Sequence, residues 1–452
     1  MIDTHCHLEM GAFDGDRDEV IRRAKDAGLE ALITIGSDFE GCKGAIEVAG
    51  QYDSVHAAVG IHPHDAKDFN NEIFDRIKDW IASNSKIVAV GEIGLDYHYD
   101  HSPREIQREV FLAQLKFAKE IGLPAVIHSR EAKGDTLAIM AESGAHKGVL
   151  HCFSGDREMA ERAIARGFHI SLAGPVTFKN ASKLREIVKI IPDDYLLVET
   201  DAPYLTPEPF RGKRNEPAFV VNTAATIAEL RGVSREDIDR ITTLNAKRLF
   251  GIGSIPGGEI AYKIRDSLYL NITNKCTSRC TFCVRFTSDF VKGHNLRLKD
   301  EPSVEEVQNA IGDPSRYKEI VFCGYGEPLL RLDAVKAVAS WVKQKGGRVR
   351  INTNGHGNMI HKRNVLPELK GLVDSVSVSL DAQDEGTYDR ICKPAFKGAF
   401  QGVVDFIREA KNHIPDVQAT VVAAEGVDVE KCRKLTDELG VKLRVRRLDV
   451  VG

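Results

Sequence analysis

The chain has 452 residues, of which 42% are hydrophobic and 28% are charged, and its formal net charge is −4. This composition is typical of soluble globular protein with roughly two or three domains. The charge excludes a general basic field that attracts nucleic acid, so such a substrate needs a local site. No apolar run approaches the roughly 20 residues that cross a bilayer, and no secretory signal opens the sequence. We therefore expect a cytoplasmic protein without a membrane partner, in which the nine cysteines stay reduced.

From Met1 to Phe250, short apolar runs alternate with amphipathic segments, which is the pattern of repeated βα units. The predicted strands are residues 2–4, 31–35, 55–59, 87–93, 124–128, 148–151, 170–172 and 196–199. Eight strands with intervening helices in about 250 residues predict an α/β fold of the (β/α)8 TIM-barrel type. We assign this barrel to residues 1–252.

Metal-ligand residue types follow many of these strands. His5 and His7 end the first strand and lie two apart, so they point to the same side of an extended backbone. Such a pair alone is more often structural, but TIM barrels carry their chemistry at the carboxyl ends of the strands. Other predicted strand ends carry His62, His64, Glu92, Asp96, His128, His151 and Asp201. This set suits two divalent ions, with Glu92 able to bridge them and Asp201 able to hold or deprotonate a water.

The first half closely resembles the TatD family of metal-dependent deoxyribonucleases, within the amidohydrolase-like barrels. The matching stretches are DTHCHL from Asp3, VGIHPH from Val59, GEIGLDY from Gly91, VIHSR from Val126, HCFSG from His151 and ETDAPYL from Glu199. The resemblance implies Mg, Mn or Zn ligands at His5, His7, Glu92, His128, His151 and Asp201, with Glu92 bridging. It also implies a DNA substrate whose phosphate is lined by His62, His64 and Asp96, and catalytic roles for Glu92, Asp201 and His62. For Arg130, a phosphate contact and a surface ion pair are equally compatible with the sequence.

A glycine-rich segment separates the two halves. Residues 253–259 contain three glycines, a serine and a proline, and this composition predicts a flexible linker. In residues 260–452 the βα alternation resumes, with strands predicted at 267–271, 319–323, 348–353, 375–380, 417–422 and 442–447. Six βα units predict a partial (β/α)6 barrel.

The loop after the first of these strands contains Cys276, Cys280 and Cys283 in a CxxxCxxC arrangement. Three thiolates within about eight residues can hold a cubane iron–sulfur cluster and leave one iron without a protein ligand. A zinc site needs a fourth protein ligand. His294 is within reach in sequence, but its spacing matches no zinc pattern, so zinc is the less favoured alternative.

The second half resembles the radical S-adenosylmethionine (radical SAM) superfamily, in which CxxxCxxC binds a [4Fe-4S] cluster and the cosubstrate occupies the open iron. The stretch from Gly324 to Pro328 is similar to the glycine-rich motif of that superfamily, from which it departs by Tyr325. The resemblance implies cosubstrate contacts from Gly324, Gly326, Glu327, Asn354, Ser379 and Asp381. The arrangement of both halves also resembles the TatD-associated radical SAM proteins.

Together these features predict a bifunctional enzyme. The first half is expected to hydrolyse phosphodiesters in DNA, and the second to cleave S-adenosylmethionine reductively, using an external electron donor, in order to act on an unidentified substrate. Two alternatives stay open. The first barrel can be an amide or ester hydrolase of the aminoacyl deacylase kind, and the cluster domain can be a redox-sensing or binding module only.

Overall fold

The computed structural model of the protein describes residues 1–446. The chain divides into two compact units, the first spanning Met1–Ile255 and the second beginning at Pro256. Arg447, the last residue of the final predicted strand, lies outside the described residues. In the described part of the chain, no helix is both long enough and apolar enough to cross a bilayer.

The first unit is an eight-stranded parallel barrel in which the strands are neighbours in chain order. The strands are β1 (Ile2–Cys6), β2 (Ala31–Gly36), β3 (Val55–Val59), β4 (Ile87–Asp96), β5 (Ala125–Arg130), β6 (Gly148–Leu150), β7 (Phe168–Leu172) and β8 (Leu196–Val198). The helices are α1 (Arg17–Asp26), α2 (Phe39–Gln51), α3 (Asn71–Ser83), α4 (Arg104–Ile121), α5 (Lys133–Ser143), α6 (Arg157–Ile164), α7 (Ser182–Val188), α8 (Val220–Arg231) and α9 (Arg235–Phe250). The predicted TIM barrel is confirmed.

Apolar side chains fill the interior of the barrel, and the end of helix α9 packs against them. Ile2, Ile33 and Val126 belong to one buried cluster with Leu249 and Phe250 at the end of α9. Helix α9 begins at a capping box, in which the Ser234 side chain accepts a hydrogen bond from the third helical N–H. Because the interior is apolar and packed, the polar side chains of the strands collect at their carboxyl ends.

The second unit contains a seven-stranded sheet in the order β17-β16-β15-β14-β13-β10-β9 and a separate two-stranded ribbon. The strands are β9 (Ala261–Ile264), β10 (Ser267–Leu270), β11 (Phe290–Val291), β12 (His294–Asn295), β13 (Ile320–Phe322), β14 (Val349–Thr353), β15 (Ser375–Ser379), β16 (Asp416–Val422) and β17 (Lys442–Arg446). The helices are α10 (Val304–Ile311), α11 (Leu332–Gln344), α12 (Gly357–His361), α13 (Leu366–Leu369), α14 (Glu385–Cys392), α15 (Ala399–Ala410) and α16 (Val429–Leu439).

The six predicted strands of this unit form its parallel sheet, as expected for a partial barrel. Strand β9, which pairs antiparallel with β10, and the β11–β12 ribbon were not predicted. Both are too short to show a clear alternating pattern. One face of the sheet packs against helices through residues such as Ile320 and Ile351. Many of the alternate strand residues, which face the opposite side of the sheet, are polar, and there Arg350 forms an ion pair of 2.9 Å with Glu319.

Candidate active sites

Glu92, on β4, lies at the centre of a group of histidines at the carboxyl end of the first barrel. Its Oε1 atom is 2.7 Å from Nε2 of His151 and 2.9 Å from Nδ1 of His128. The same oxygen is 3.5 Å from Nε2 of His62. The Oε2 atom faces the other side and is 3.5 Å from Nε2 of His5. The carboxylate therefore connects histidines from four different strand ends.

His5, His7 and Asp201 form a second group on the Oε2 side of Glu92. The Nε2 atoms of His5 and His7 are 3.3 Å apart, and they lie 3.6 Å and 3.5 Å from Oδ1 of Asp201. Nδ1 of His7 donates to the carbonyl of Ile35 at 2.9 Å, which fixes the ring with its Nε2 facing His5 and Asp201. Asp201 has a left-handed backbone with φ 58°, and its N–H donates to the carbonyl of His5 at 2.9 Å. Such strained backbone is concentrated at functional sites.

The residues present fit divalent cations on either side of Glu92. Three sets have one ligand atom each within 4.8 Å of one another, and these sets are His5–Glu92–His151, His5–His7–Asp201 and His62–Glu92–His128. Nδ1 of His128 and Nε2 of His151 are 3.1 Å apart, a separation at which two lone pairs can face one shared cation. Imidazole nitrogens and carboxylate oxygens are ligands that zinc and related divalent ions accept.

The electrostatics of the site keep its carboxylates ionised. Burial raises the pKa of Glu92, but the charge of His151 and the hydrogen bonds with His128 and His151 outweigh burial and hold it well below its usual range. Burial likewise opposes ionisation of Asp201, whose pKa is nevertheless lowered by its hydrogen bond with His7. Anionic ligands are therefore available at neutral pH.

Two buried carboxylates that the sequence analysis did not single out hold these groups in position. Glu199 Oε1 accepts a hydrogen bond of 2.6 Å from the N–H of Cys152 and lies 3.4 Å from Nδ1 of His151. Asp3 accepts from the N–H and the hydroxyl of Thr200, and burial raises its pKa to about 8. Both carboxylates lie within the matched motifs, Asp3 inside β1 and Glu199 just after β8, and membership of those motifs was the available signal.

His62 lies closer to the metal-ligand groups than expected for a residue that only lines a phosphate. It belongs to the set with Glu92 and His128. Burial holds the pKa of His62 well below its usual range, so its imidazole is neutral and able to act as a ligand. His64 lies further out, with Nε2 at 3.1 Å from Asp96 Oδ2. The same oxygen is 3.2 Å from Nε2 of His128, so Asp96 orients that histidine.

Cys276, Cys280 and Cys283 lie on one loop of the second unit, which follows β10. Burial raises the pKa of Cys276 to about 11, and the charges of Glu327 and Cys280 add to this effect. Burial also raises the pKa of Cys283, again with a contribution from Cys280. The Asn354 amide donates to the Cys276 sulfur at 3.7 Å. Three cysteines on one loop, with an amide donor to one of the sulfurs, fit the thiolate ligation of an iron–sulfur cluster.

The glycine-rich stretch packs directly against the cysteine loop. The N–H of Glu327 donates to the carbonyl of Lys275 at 2.8 Å. A Cβ atom at Gly326 would lie 2.3 Å from that carbonyl oxygen, so only glycine allows this approach. The Glu327 carboxylate accepts from Thr353 Oγ1 and from the N–H of Asn354, both at 2.7 Å, and burial raises its pKa to about 7. Glu327 thus ties the end of β14 to the cysteine loop.

Tyr325, the departure from the usual glycine-rich motif, has a structural role. Its hydroxyl donates to the carbonyl of Ser288 at 2.6 Å, and its ring is buried beside the β11–β12 ribbon.

His294, the residue considered as a zinc ligand, forms hydrogen bonds away from the cysteine loop. Its Nδ1 is 2.8 Å from Glu259 Oε2 and its Nε2 donates to the carbonyl of Lys263. The geometry therefore gives no support to zinc.

Two of the remaining predicted cosubstrate residues, Ser379 and Asp381, lie at the end of β15. Burial raises the pKa of Asp381. Asp381 Oδ1 accepts from the N–H of Val422 at 3.2 Å and lies 3.7 Å from the guanidinium of Arg446. A Cβ atom at Gly324 would lie 2.2 Å from Oδ1 of Asn271, so this glycine also serves packing. Contacts of these residues with S-adenosylmethionine stay a prediction.

A TIM barrel with histidines and carboxylates converging on Glu92 defines a metal-dependent hydrolase, here joined to a domain with a three-cysteine loop. Residues 2–251 match the family described as TatD related DNase, and residues 270–439 match the radical SAM superfamily. The chain belongs to the TatD related DNase family and carries a radical SAM domain.

Similar proteins support the first assignment. An uncharacterized metal-dependent hydrolase, YabD, of Bacillus subtilis is 49% identical over 254 residues, which are 56% of this chain and 99% of that protein. A 3'-5' ssDNA/RNA exonuclease TatD of Shigella flexneri is 37% identical over 261 residues, with 56% and 99% covered. The crystal structure of YJJV, a TatD homolog from Escherichia coli, superimposes with a TM-score of 0.54 at 32% identity and covers 56% of this chain and 98% of that chain.

Proposed function

We propose that the first unit is a nuclease that hydrolyses phosphodiester bonds in single-stranded DNA. The observation that carries this proposal is the convergence of histidines from several strands on the two oxygens of Glu92. The name of the Shigella flexneri relative, an exonuclease for single-stranded DNA and RNA, supports the choice of substrate. Divalent ions in such a site polarise a phosphate and lower the pKa of an attacking water toward roughly 7.

The side chains of the site have separate roles in this proposed reaction. His5, His7, Glu92, His128, His151 and Asp201 would hold the cations, and Glu92 is the residue with an oxygen facing each group of histidines. The ionised Oδ1 of Asp201 is available to accept a proton from the attacking water. The neutral His62 either joins the ligands or donates a hydrogen bond to the phosphate. The buried Glu199 keeps His151 oriented.

The hydrolase proposal is tested with purified full-length protein and Mg²⁺ or Mn²⁺. The protein is offered a 5'-labelled single-stranded oligonucleotide and, in parallel, aminoacyl ester and cyclic amide substrates. We expect nucleotide release from DNA, loss of that release in Glu92→Ala and no comparable turnover of the carbonyl substrates. Equal nucleotide release by Glu92→Ala would contradict the metal assignment, and turnover of only the carbonyl substrates would favour the deacylase alternative.

For the second unit we propose reductive cleavage of S-adenosylmethionine. When a [4Fe-4S] cluster is bound by Cys276, Cys280 and Cys283, it supplies the electron for this cleavage. An external donor must then return an electron to the cluster. The chain's own contribution is to hold the cysteine loop rigid through Glu327 and Asn354. Ser379 and Asp381 offer polar atoms at the neighbouring strand end for the ribose of the cosubstrate.

The test is an anaerobic assay of the reconstituted full-length protein with S-adenosylmethionine and dithionite. We expect 5'-deoxyadenosine and methionine from the wild type and neither from Cys280→Ala. If reconstituted wild-type protein forms no 5'-deoxyadenosine with or without added nucleotides, the domain is a redox-sensing or binding module instead. This outcome leaves the hydrolase proposal untouched, because the two assays use different substrates.

A further inference from the structure

A half-exposed tyrosine lies beside the hydrolase site without a role in the proposed chemistry. Tyr99 follows β4 and is 52% exposed. Its N–H donates to Asp96 Oδ1 at 2.9 Å, while the other oxygen of Asp96 contacts His128. The turn that carries Tyr99 is thus fixed directly to the metal-ligand group.

Three planar side chains gather at this turn, and we call them the aromatic shelf: Tyr99, His101 and Arg130. The rings of Tyr99 and His101 are parallel within 1°, with centroids 5.5 Å apart. The guanidinium carbon of Arg130 lies 4.8 Å from the centroid of the Tyr99 ring. Arg130 ends β5, two residues after His128, so the shelf begins at the edge of the catalytic group.

The charge of Arg130 is not neutralised by an acidic side chain within the part of the chain that the structure describes. Arg130 also borders a cleft of about 710 Å³ whose lining includes Ser129 and Lys183 as well as the acidic Glu131 and Asp135. Lys133, in the same cleft, is instead held by Asp156 and Glu158 at 2.7 Å and 2.6 Å. A guanidinium stacked on a ring keeps its outward N–H groups available for phosphate.

We propose that the aromatic shelf is a nucleotide subsite, in which Tyr99 stacks on an unpaired base and Arg130 contacts a phosphate next to the scissile one. Stacking of bases on exposed aromatic rings is sequence-tolerant and requires bases that are not already paired. The subsite therefore selects single strands over duplexes. This inference rests on the proposed nuclease function and deepens it, because it names the feature of the substrate that the chain recognises.

Binding is measured by fluorescence anisotropy on full-length protein in Mg²⁺ with a labelled, cleavage-resistant phosphorothioate thymidine pentamer. We expect Tyr99→Leu to raise Kd about 5- to 100-fold, and Tyr99→Phe, which keeps the ring, to stay within about threefold of the wild type. Arg130→Gln is expected to weaken binding and to reduce the slope of log Kd against log salt by about 0.7, whereas Arg130→Lys keeps the slope. Arg166→Gln, an exposed arginine just before β7 at the opposite end of the barrel, is the matched control.

Pentamers with one abasic position locate the stacked base. Loss of that base should weaken wild-type binding but have no further effect on Tyr99→Leu, because both changes remove the same contact. Wild-type-like binding by Tyr99→Leu, or equal affinity of the wild type for a duplex, would overturn the subsite. If the wild type cleaves an unmodified pentamer but the variants bind like it, the nuclease stands and the subsite fails. If the variants bind weakly as expected but the wild type cleaves nothing, the subsite stands and the nuclease fails.

Discussion

Oε1 of Glu92 lies 2.7 Å from Nε2 of His151, although the two residues are far apart in the sequence. Glu92 is buried in β4, and His151 directly follows β6. Burying a carboxylate and an imidazole without compensation is costly, so an arrangement that gathers several of them needs either shared protons or a cation. The position of Glu92 between two groups of histidines makes it the side chain on which cation binding depends most.

Replacing Glu92 by glutamine is therefore expected to weaken Mn²⁺ binding and DNA hydrolysis by more than about 100-fold, because the amide removes the negative charge from both groups at once. Isothermal titration with Mn²⁺ and single-turnover cleavage measure the two effects. Asp75→Asn, an exposed carboxylate on α3 paired with Lys78, is the control and should change neither. A variant that binds Mn²⁺ like the wild type would show that Glu92 is not a ligand.

Glu199 provides a milder test of the same site. Its carboxylate lies 3.4 Å from Nδ1 of His151 on the side away from Glu92. Glu199→Gln keeps an oxygen that can accept from Cys152 but loses the charge that orients the imidazole. Metal affinity should fall about 10- to 100-fold, in the range found for partners of metal-bound histidines. A loss as large as that of Glu92→Gln would instead indicate that Glu199 binds a cation directly.

The sequence was sufficient for the barrel and for the histidines and carboxylates that gather at its strand ends, because both follow from local patterns. Strand-length apolar runs predict the βα units, and the carboxyl ends of parallel strands must converge in a closed barrel. His62 shows the limit of this reasoning. Its side chain reaches Glu92 only because of the direction in which the loop after β3 leaves the strand, and no spacing in the sequence encodes that direction.

The second unit shows the same limit. The three cysteines are recognisable from spacing, but Cys392 is not, although its backbone carbonyl accepts a hydrogen bond of 3.0 Å from the N–H of Arg279 in the cysteine loop. The contact joins residues more than a hundred positions apart through the end of α14. The sequence did not predict the role of Tyr325 either, because the β11–β12 ribbon that it supports has no sequence pattern of its own.

His169, on β7 and distant in sequence from the ligands, predicts a pH dependence of stability. Burial lowers its pKa from 6.5 to about 4. Because this value is below that of the unfolded chain, the stabilisation is complete above about pH 6.5 and is lost as the pH falls toward 4. Between pH 8 and pH 5 the wild type should lose about 2 kcal/mol more free energy of unfolding than His169→Gln. Urea titrations of the full-length protein at both pH values measure this difference, and parallel losses in the two proteins would contradict the assignment.

Asn354 is expected to tune the reduction potential of a cluster in the second unit. Its amide donates to the Cys276 sulfur at 3.7 Å and to Thr277 Oγ1 at 2.9 Å. Hydrogen bonds to cluster sulfurs stabilise the reduced, more negative state, so Asn354→Leu should shift the potential to more negative values. The measurement is a redox titration of the anaerobically reconstituted protein, followed by electron paramagnetic resonance without S-adenosylmethionine.

The control for this experiment is Asn412→Ala, an exposed asparagine after α15 that pairs with Glu409. It should leave the potential unchanged. Iron and sulfide content must be equal in all variants, because loss of cluster and a shift in potential are different effects. A potential unchanged in fully loaded Asn354→Leu would mean that Asn354 only holds Thr277 and the loop in place, and a shift to more positive values would mean that the amide does not donate to the Cys276 sulfur when the cluster is bound.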